Sequence, residues 1–167
     1  THIKEICVDK TSIYMSIDQT TQCNLELTDP IHAHSKNSTL LSLLDQTKTP
    51  MGSRLFKSWI IHPLLSIEEI ELRQNAVQEL QNHLDLSNNL SSIRDLERLI
   101  TRISTGNAMP RDLTALRFSL ESIPKLINAL SPLKSNLIKK IHSNLPDPTP
   151  ISLKIAETLV DDPPTKW

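Results

Sequence analysis

Gly52 and Gly106 are the only glycines in 167 residues, and no other feature limits the fold of this chain so strongly. Loops that cradle phosphate need several glycines so that backbone amides can approach the anion, and neither G-x-G-x-x-G nor G-x-x-x-x-G-K-[ST] occurs here. The chain by itself is therefore not expected to bind ATP. Hairpin-rich β architectures also consume glycine and favour aromatic and β-branched residues, whereas aromatic residues make up only 3% of this chain. The expected class is mainly α, a multi-helix domain with at most a short N-terminal strand.

The length suits one core of ordinary size, or a piece of a larger one. The start at Thr1 without methionine and the end in "DDPPTKW" suggest a fragment. No apolar run approaches the ~18 residues of a membrane span, so the expectation is a soluble, cytoplasmic protein with no membrane partner. A net charge of -1 and a pI near 6.6 give no overall attraction for nucleic acid. Cys7 and Cys23, with no C-x-x-C spacing, suit free thiols in a reducing compartment. The "NST" at Asn37 and "NLS" at Asn89 match the glycosylation triplet, but without a secretory signal they read as a cap-and-loop element and a helix surface.

Along the chain, "IYMSID" at 13–18 alternates like a short strand or an extended lead into a helix over "QTTQCNLEL" with Asp18 at its N-cap. Ser38 is placed to cap a helix carrying Leu40, Leu41, Leu43 and Leu44. Pro50 is expected to end that passage, and a helix restarts near Met51 and stops at Pro63. This double corner, with Gly52 inside it, predicts short helices meeting at set angles, with Trp59 and Phe56 filling the crossing. "SIEE" at 66–69 reads as a capping box opening a long helix. Further helices are expected over 84–93 and 95–104, with Gly106 as the left-handed residue after the latter. Pro110 suits the first position of a helix that Pro124 kinks or restarts, and 133–144 and 151–160 complete seven or eight helices.

Catalytic chemistry finds little support. His32, His34, Cys23 and Asp29 are metal-capable, yet a zinc site wants three or four converging ligands, and a solvated loop is the preferred reading. Glu68 and Glu69 are adjacent on a helix and point apart, so they read as first-turn acids favouring the helix dipole. No serine or cysteine has a local nucleophile signature. Arg94, Arg98 and Arg102 are spaced four apart beside Asp95 and Glu97; in a chain without net positive charge, structural pairing is preferred over phosphate contact. Lys125, Lys134, Lys139 and Lys140 lie in the acid-free stretch 123–145. Its solvated face leaves weak, salt-sensitive DNA-backbone proximity for Lys134, Lys139 and Lys140 as the minor reading.

The string "STLLSLLDQTKTPMGSRLFKSWIIHPLLSIEEIELRQNAVQEL" resembles the core of the MutS family of DNA mismatch repair proteins. "DLERLITRISTGNAMPRDLTALRFSL", "MSIDQTTQCNLEL" and "LKIAETLVDDPP" resemble further stretches of that family, in family order, and the pairing of "NLEL" with "A.PRDL" resembles its bacterial branch. The resemblance implies one domain, a fragment of the central core or lever. Segment 1–37 would lead in from the connector side, 38–132 would form the helical core, and 133–167 would lead toward the clamp. The parent would bind mispaired DNA as a dimer, hydrolyse ATP with Mg²⁺ and act with a MutL-type repair protein.

This fragment would hold no cofactor and would not be an enzyme. Its role would be structural and allosteric, through contacts with other domains of the same chain. Pro50, Gly52, Arg54, Trp59, Pro63, Glu97, Arg98, Gly106, Pro110, Arg111 and Asp112 fall in the recurring motifs and carry over as packing and inter-helix pairing positions only. Met109 departs from the Asn or Arg common before that proline, which puts a polar contact at the turn in doubt. The alternative from another class is an all-helical adaptor binding protein partners through exposed helix faces.

Overall fold

The computed structural model describes residues 13–32, 38–81 and 83–164, so Cys7, His34 and Asn37 lie outside the described residues. The chain divides into two units, Thr1–Asp45 with Leu55–Glu71 and Gln46–Arg54 with Leu72–Trp167. Nine helices occur among the described residues. They exceed the expected seven or eight by one, and the two shortest are α1 (Gln19–Asn24) and α2 (Leu40–Leu44).

In the first unit the alternating stretch 13–18 is no regular strand and forms a single antiparallel bridge, Tyr14 with Leu64. The Met15 amide donates to the Pro63 carbonyl at 2.8 Å and the Leu65 amide to the Ile13 carbonyl at 3.0 Å. Asp18 ends the stretch and caps α1, its Oδ1 accepting the Thr21 amide at 2.8 Å. That amide, joined by the Thr21 hydroxyl, holds the Asp18 carboxyl below the usual carboxylate range. Glu26 then takes a left-handed turn at φ 47, a conformation that costs an L-residue unless its surroundings fix it. Here its carboxylate accepts the Ile31 amide at 2.7 Å, and its carbonyl accepts the Leu40 amide at the head of α2 at 3.0 Å.

Two expected caps are corrected. Thr39, not Ser38, caps α2, because it directly precedes the first helical residue and its Oγ1 accepts the Ser42 amide at 3.1 Å. The "SIEE" box is only half formed: Ser66 Oγ accepts the Glu69 amide at 3.4 Å but donates to Glu68 at 2.7 Å, so Glu69 does not complete the reciprocal bond. The serine hydroxyl holds the Glu68 carboxyl below its ordinary range. The helix that follows is α4 (Ile67–Leu80).

Pro50 is the first residue of α3 (Pro50–Ile61) rather than the end of the preceding passage. A proline fits there because the first helical amide has no partner inside the helix. Thr49 supplies the cap, its Oγ1 accepting the Gly52 amide at 3.0 Å. A Cβ on Gly52 would lie 3.0 Å from that same oxygen, so the cap and a side chain compete for one space. Trp59 does not fill a buried crossing as expected: it is 38% exposed, while Phe56 is half-buried. No residue of α3 is fully buried.

In the second unit α7 (Pro110–Leu130) is central, packing against α5 (Leu84–Ser91), α6 (Leu96–Ser104), α8 (Asn136–Asn144) and α9 (Thr149–Thr158). Ala76, Leu86, Leu133 and Ile138 form its buried cluster, with Leu126, Leu130 and Leu137 packed on it. Burying a side chain such as Ile138 stabilises by roughly 1.5–3 kcal/mol. Pro124 does not restart α7, which runs through it as one helix. Ser135 leaves α8 without a side-chain cap. Glu79 replaces it from α4, accepting the Lys134 and Ser135 amides at 2.6 and 2.8 Å, and the Lys134 amide is the main cause of its lowered pKa.

Candidate functional site

Helix ends in the second unit are joined by charged side chains. Asp95 is the N-cap of α6, its Oδ1 lying 3.3 Å from the Arg98 amide that it accepts. Its two oxygens also accept two hydrogen bonds of 2.8 Å from the Arg54 guanidinium, which reaches from the first half of α3. Arg54 Nε donates at 3.1 Å to Glu97, in the first turn of α6. Bidentate pairing of this kind is among the stronger and more geometrically specific contacts open to arginine. The Arg54 hydrogen bonds hold the Asp95 carboxyl at about 2 against partial burial, which acts in the opposite direction. The same bonds, from Asp95 first and Glu97 next, raise the Arg54 pKa.

The far end of α6 is fastened to α7. Arg102 in the last turn pairs with Asp112 at 2.9 Å. Asp112, third residue of α7, also accepts the Met109 amide at 2.8 Å. Met109 therefore removes no polar closure from this turn, because the carboxylate provides it. Gly106, at φ 72, closes α6: its amide donates to the Ile103 carbonyl at 3.1 Å, and the Asn107 amide donates to the Arg102 carbonyl at 2.9 Å. Only a residue at ease in the left-handed region completes this paired closure. Pro110 is buried at the first position of α7.

Arg54 and Glu97 thus meet, with Asp95 as the shared partner, and Pro50 and Gly52 form the capped turn that begins Arg54's helix. Trp59 and Pro63 belong to the first unit. Arg98 is corrected as an inter-helix residue: it is 80% exposed and pairs with Asp95 of its own first turn at 3.4 Å. Its side chain leaves that turn toward solvent, and Arg102 makes the bond between helices instead. Arg111 turns away from Asp112 and pairs with Asp162 at 3.5 Å. Lys134, Lys139 and Lys140 are exposed on or beside α8.

Sequence reasoning missed the buried polar residues of α7, of which Ser119 and Arg117 make bonds beyond their own helix. Ser119 is fully buried, donating to the Ala115 carbonyl at 2.8 Å and accepting the Arg94 amide at 3.0 Å. Arg117 is buried on the same helix and donates to Asp161. The available signal was a serine and an arginine set among the apolar residues of "LTALRFSL". Among the described residues no group of three or more His, Cys, Asp or Glu is placed to hold a metal, and no helix is long and apolar enough to cross a membrane. The arrangement offers ion pairs and caps that fix helix ends.

Residues 20–167 match the family model described as MutS domain III. The DNA mismatch repair protein MutS of Methanothrix thermoacetophila is 39% identical over 170 residues, covering 98% of this chain and 20% of that protein. The protein of the same name from Clostridium perfringens is 40% identical over 167 residues, covering 98% and 18%. That from Staphylococcus aureus is 39% identical over 168 residues, covering 98% and 19%. The chain spans about a fifth of the length of these curated relatives.

Proposed function

The chain belongs to the MutS family as its domain III, and from that premise we propose that it is the structural and allosteric core, or lever, of a mismatch repair ATPase. In this reading it links the connector, the DNA clamp and the ATPase of one parent chain. ATP and Mg²⁺ are bound elsewhere in that parent, which works as a dimer on mispaired duplex DNA and with a MutL-type partner. Lys134, Lys139 and Lys140 make at most a weak, salt-sensitive phosphate contact.

The observation that carries the proposal is the Arg54–Asp95–Glu97 junction, continued by Arg102–Asp112. These bonds tie α3 to the first turn of α6 and the last turn of α6 to the first turn of α7. A packed element fastened at its ends shifts as a unit, and such elements carry one site's state to another when the two states differ in contacts.

The test uses the full-length parent. Arg54→Ala is expected to leave the preference for mispaired over paired duplex intact and to reduce the ATP-induced change in DNA affinity by about fivefold or more, the scale of ordinary coupling between sites. An unchanged response to ATP would overturn the proposal, and so would loss of mismatch preference with the ATP response retained.

A further inference from the structure

Arginine is almost never buried without a partner, because removing its charge from water costs several kcal/mol on the usual scale. The Arg117 side chain is only 7% exposed, yet its partner Asp161 is 81% exposed. Asp161 begins the segment 161–163, which follows α9 and lies along α7. Arg111 holds the same segment further on: its Nη2 is 3.5 Å from Asp162, and its Nε donates to the Pro163 carbonyl at 3.4 Å. Arg111 and Arg117 are separated by about 9 Å of helix rise, and the three strap residues span a similar length when extended. The strap therefore runs antiparallel to α7 and is fixed at each successive residue. A cleft of about 460 Å³ lies beside it, lined by Arg94, Thr114, Phe118 and the strap itself. Apart from the buried Pro163, the strap is held by charge rather than by close packing.

Arg117 has a second acid within reach. Glu121, one turn along α7, has its Oε1 3.4 Å from Arg117 Nε. That Nε makes no hydrogen bond while the guanidinium is engaged with Asp161. If the strap lifts, Arg117 keeps the Phe118 ring, 4.6 Å from its central carbon, and its ion pair with Glu121. Release then strands no bare charge in the interior, because Glu121 still faces the guanidinium. This is what a switchable contact requires.

We propose that Arg117 is a positioning residue whose bond to Asp161, made or broken while Glu121 stays beside the guanidinium, latches and releases the strap 161–163, and so sets the direction in which the chain leaves α9. The proposal rests on the lever reading above, of which the latch would be one moving part.

The experiment places a nitroxide on Val160→Cys in a full-length protein otherwise free of cysteine, and follows label mobility with salt. Because Asp161 faces solvent, its pairing weakens as salt rises, so the native strap is expected to lose its immobilised spectral component on going from low to high salt. Asp161→Asn is expected to lack that component at every salt concentration, and Asp161→Glu to restore it. Glu121→Gln removes the standby partner and is expected to shift the salt-induced release upward. An Asp161→Asn strap as immobile as the native one, or a Glu121→Gln salt profile identical to the native, overturns the latch. The same Asp161→Asn protein is expected to lose about fivefold of its ATP-induced change in DNA affinity. A mobile strap with an undiminished ATP response overturns the positioning role. The separate Arg54→Ala measurement tells whether the lever reading falls with it.

Discussion

Leu27 and Thr39 are the only buried residues among those described in the first unit, whereas the second buries Ala76, Leu86, Ile93, Leu99, Leu116, Leu133 and Ile138 together with Arg117 and Ser119. The first is fixed by main chain bonded to main chain: Met15 to Pro63, Leu65 to Ile13, Leu40 to Glu26 and Leu41 to Leu27. The second is fixed by side chains, apolar in its cluster and charged at its helix ends. Backbone bonds hold whatever residues supply them, so long as the amide exists. A packed cluster depends on the volume of each member. The two units should therefore fail under different kinds of substitution.

The largest effect is expected in the second unit. Ile138 is 2% exposed, and Ile138→Ala should cost about 2–5 kcal/mol in denaturant melts, through lost burial and the cavity left behind. Trp59→Ala in the first unit deletes a larger side chain but should fall below the ~3–5 kcal/mol that follows removal of a fully buried ring. A tryptophan deletion costing more than the isoleucine deletion would erase the contrast.

An intermediate effect should come from the main chain of the first unit. Met15→Pro removes the amide that bonds to the Pro63 carbonyl and should cost about 1–3 kcal/mol. Met15→Ala keeps that amide and, at an exposed position, should stay within about 0.5 kcal/mol. Hydrogen exchange at the amides of α1 and α4 would separate them; equal effects would mean that the methionine side chain, not its amide, secures the segment.

The smallest effect at neutral pH concerns the ion pairs, since the Arg54 side chain is 41% exposed and solvent screens it. The effect becomes legible in acid. Asp95 titrates at about 2 in the folded chain, below its unattached value of 3.8, chiefly because of the Arg54 bonds. A depressed carboxyl contributes stability that is complete above pH 3.8 and is lost as pH falls from there toward 2. Asp95→Asn should flatten the acid dependence of α6 exchange in that window while α1, capped by Asp18, keeps its own. An acid profile of α6 unchanged by Asp95→Asn would remove the junction from the account of the second unit.

Local chemistry was readable ahead of the structure, and distant pairing was not. Asp18, Gly106 and Pro110 announce helix boundaries because each acts on amides within about four residues, and their roles follow from residue type. Ser38 and Thr39 differ by a single step, which propensity cannot resolve. Pro50 suits the end of one helix or the start of the next, and Thr49 decides it by capping. Glu79 bonds to amides 55 and 56 residues away, and Arg117 to an acid 44 residues on; no spacing rule reaches that far. Trp59 shows the converse error, since a large apolar ring on a helical stripe promises burial only when something covers it.

Pro124 sits fifteenth in the twenty-one residues of α7 and has no amide to give the Leu120 carbonyl. On one side of it lie Ser119, Arg117 and the turn beginning at Pro110; on the other lie Leu126, Ala129 and Leu130, packed on the Ile138 cluster. Mechanically, α7 is a beam with one tie left out between two clamped sections. A load applied at either end concentrates its bending at that gap, so the helix has a built-in flexural axis whose position is set by one pyrrolidine ring and moves only if the proline does.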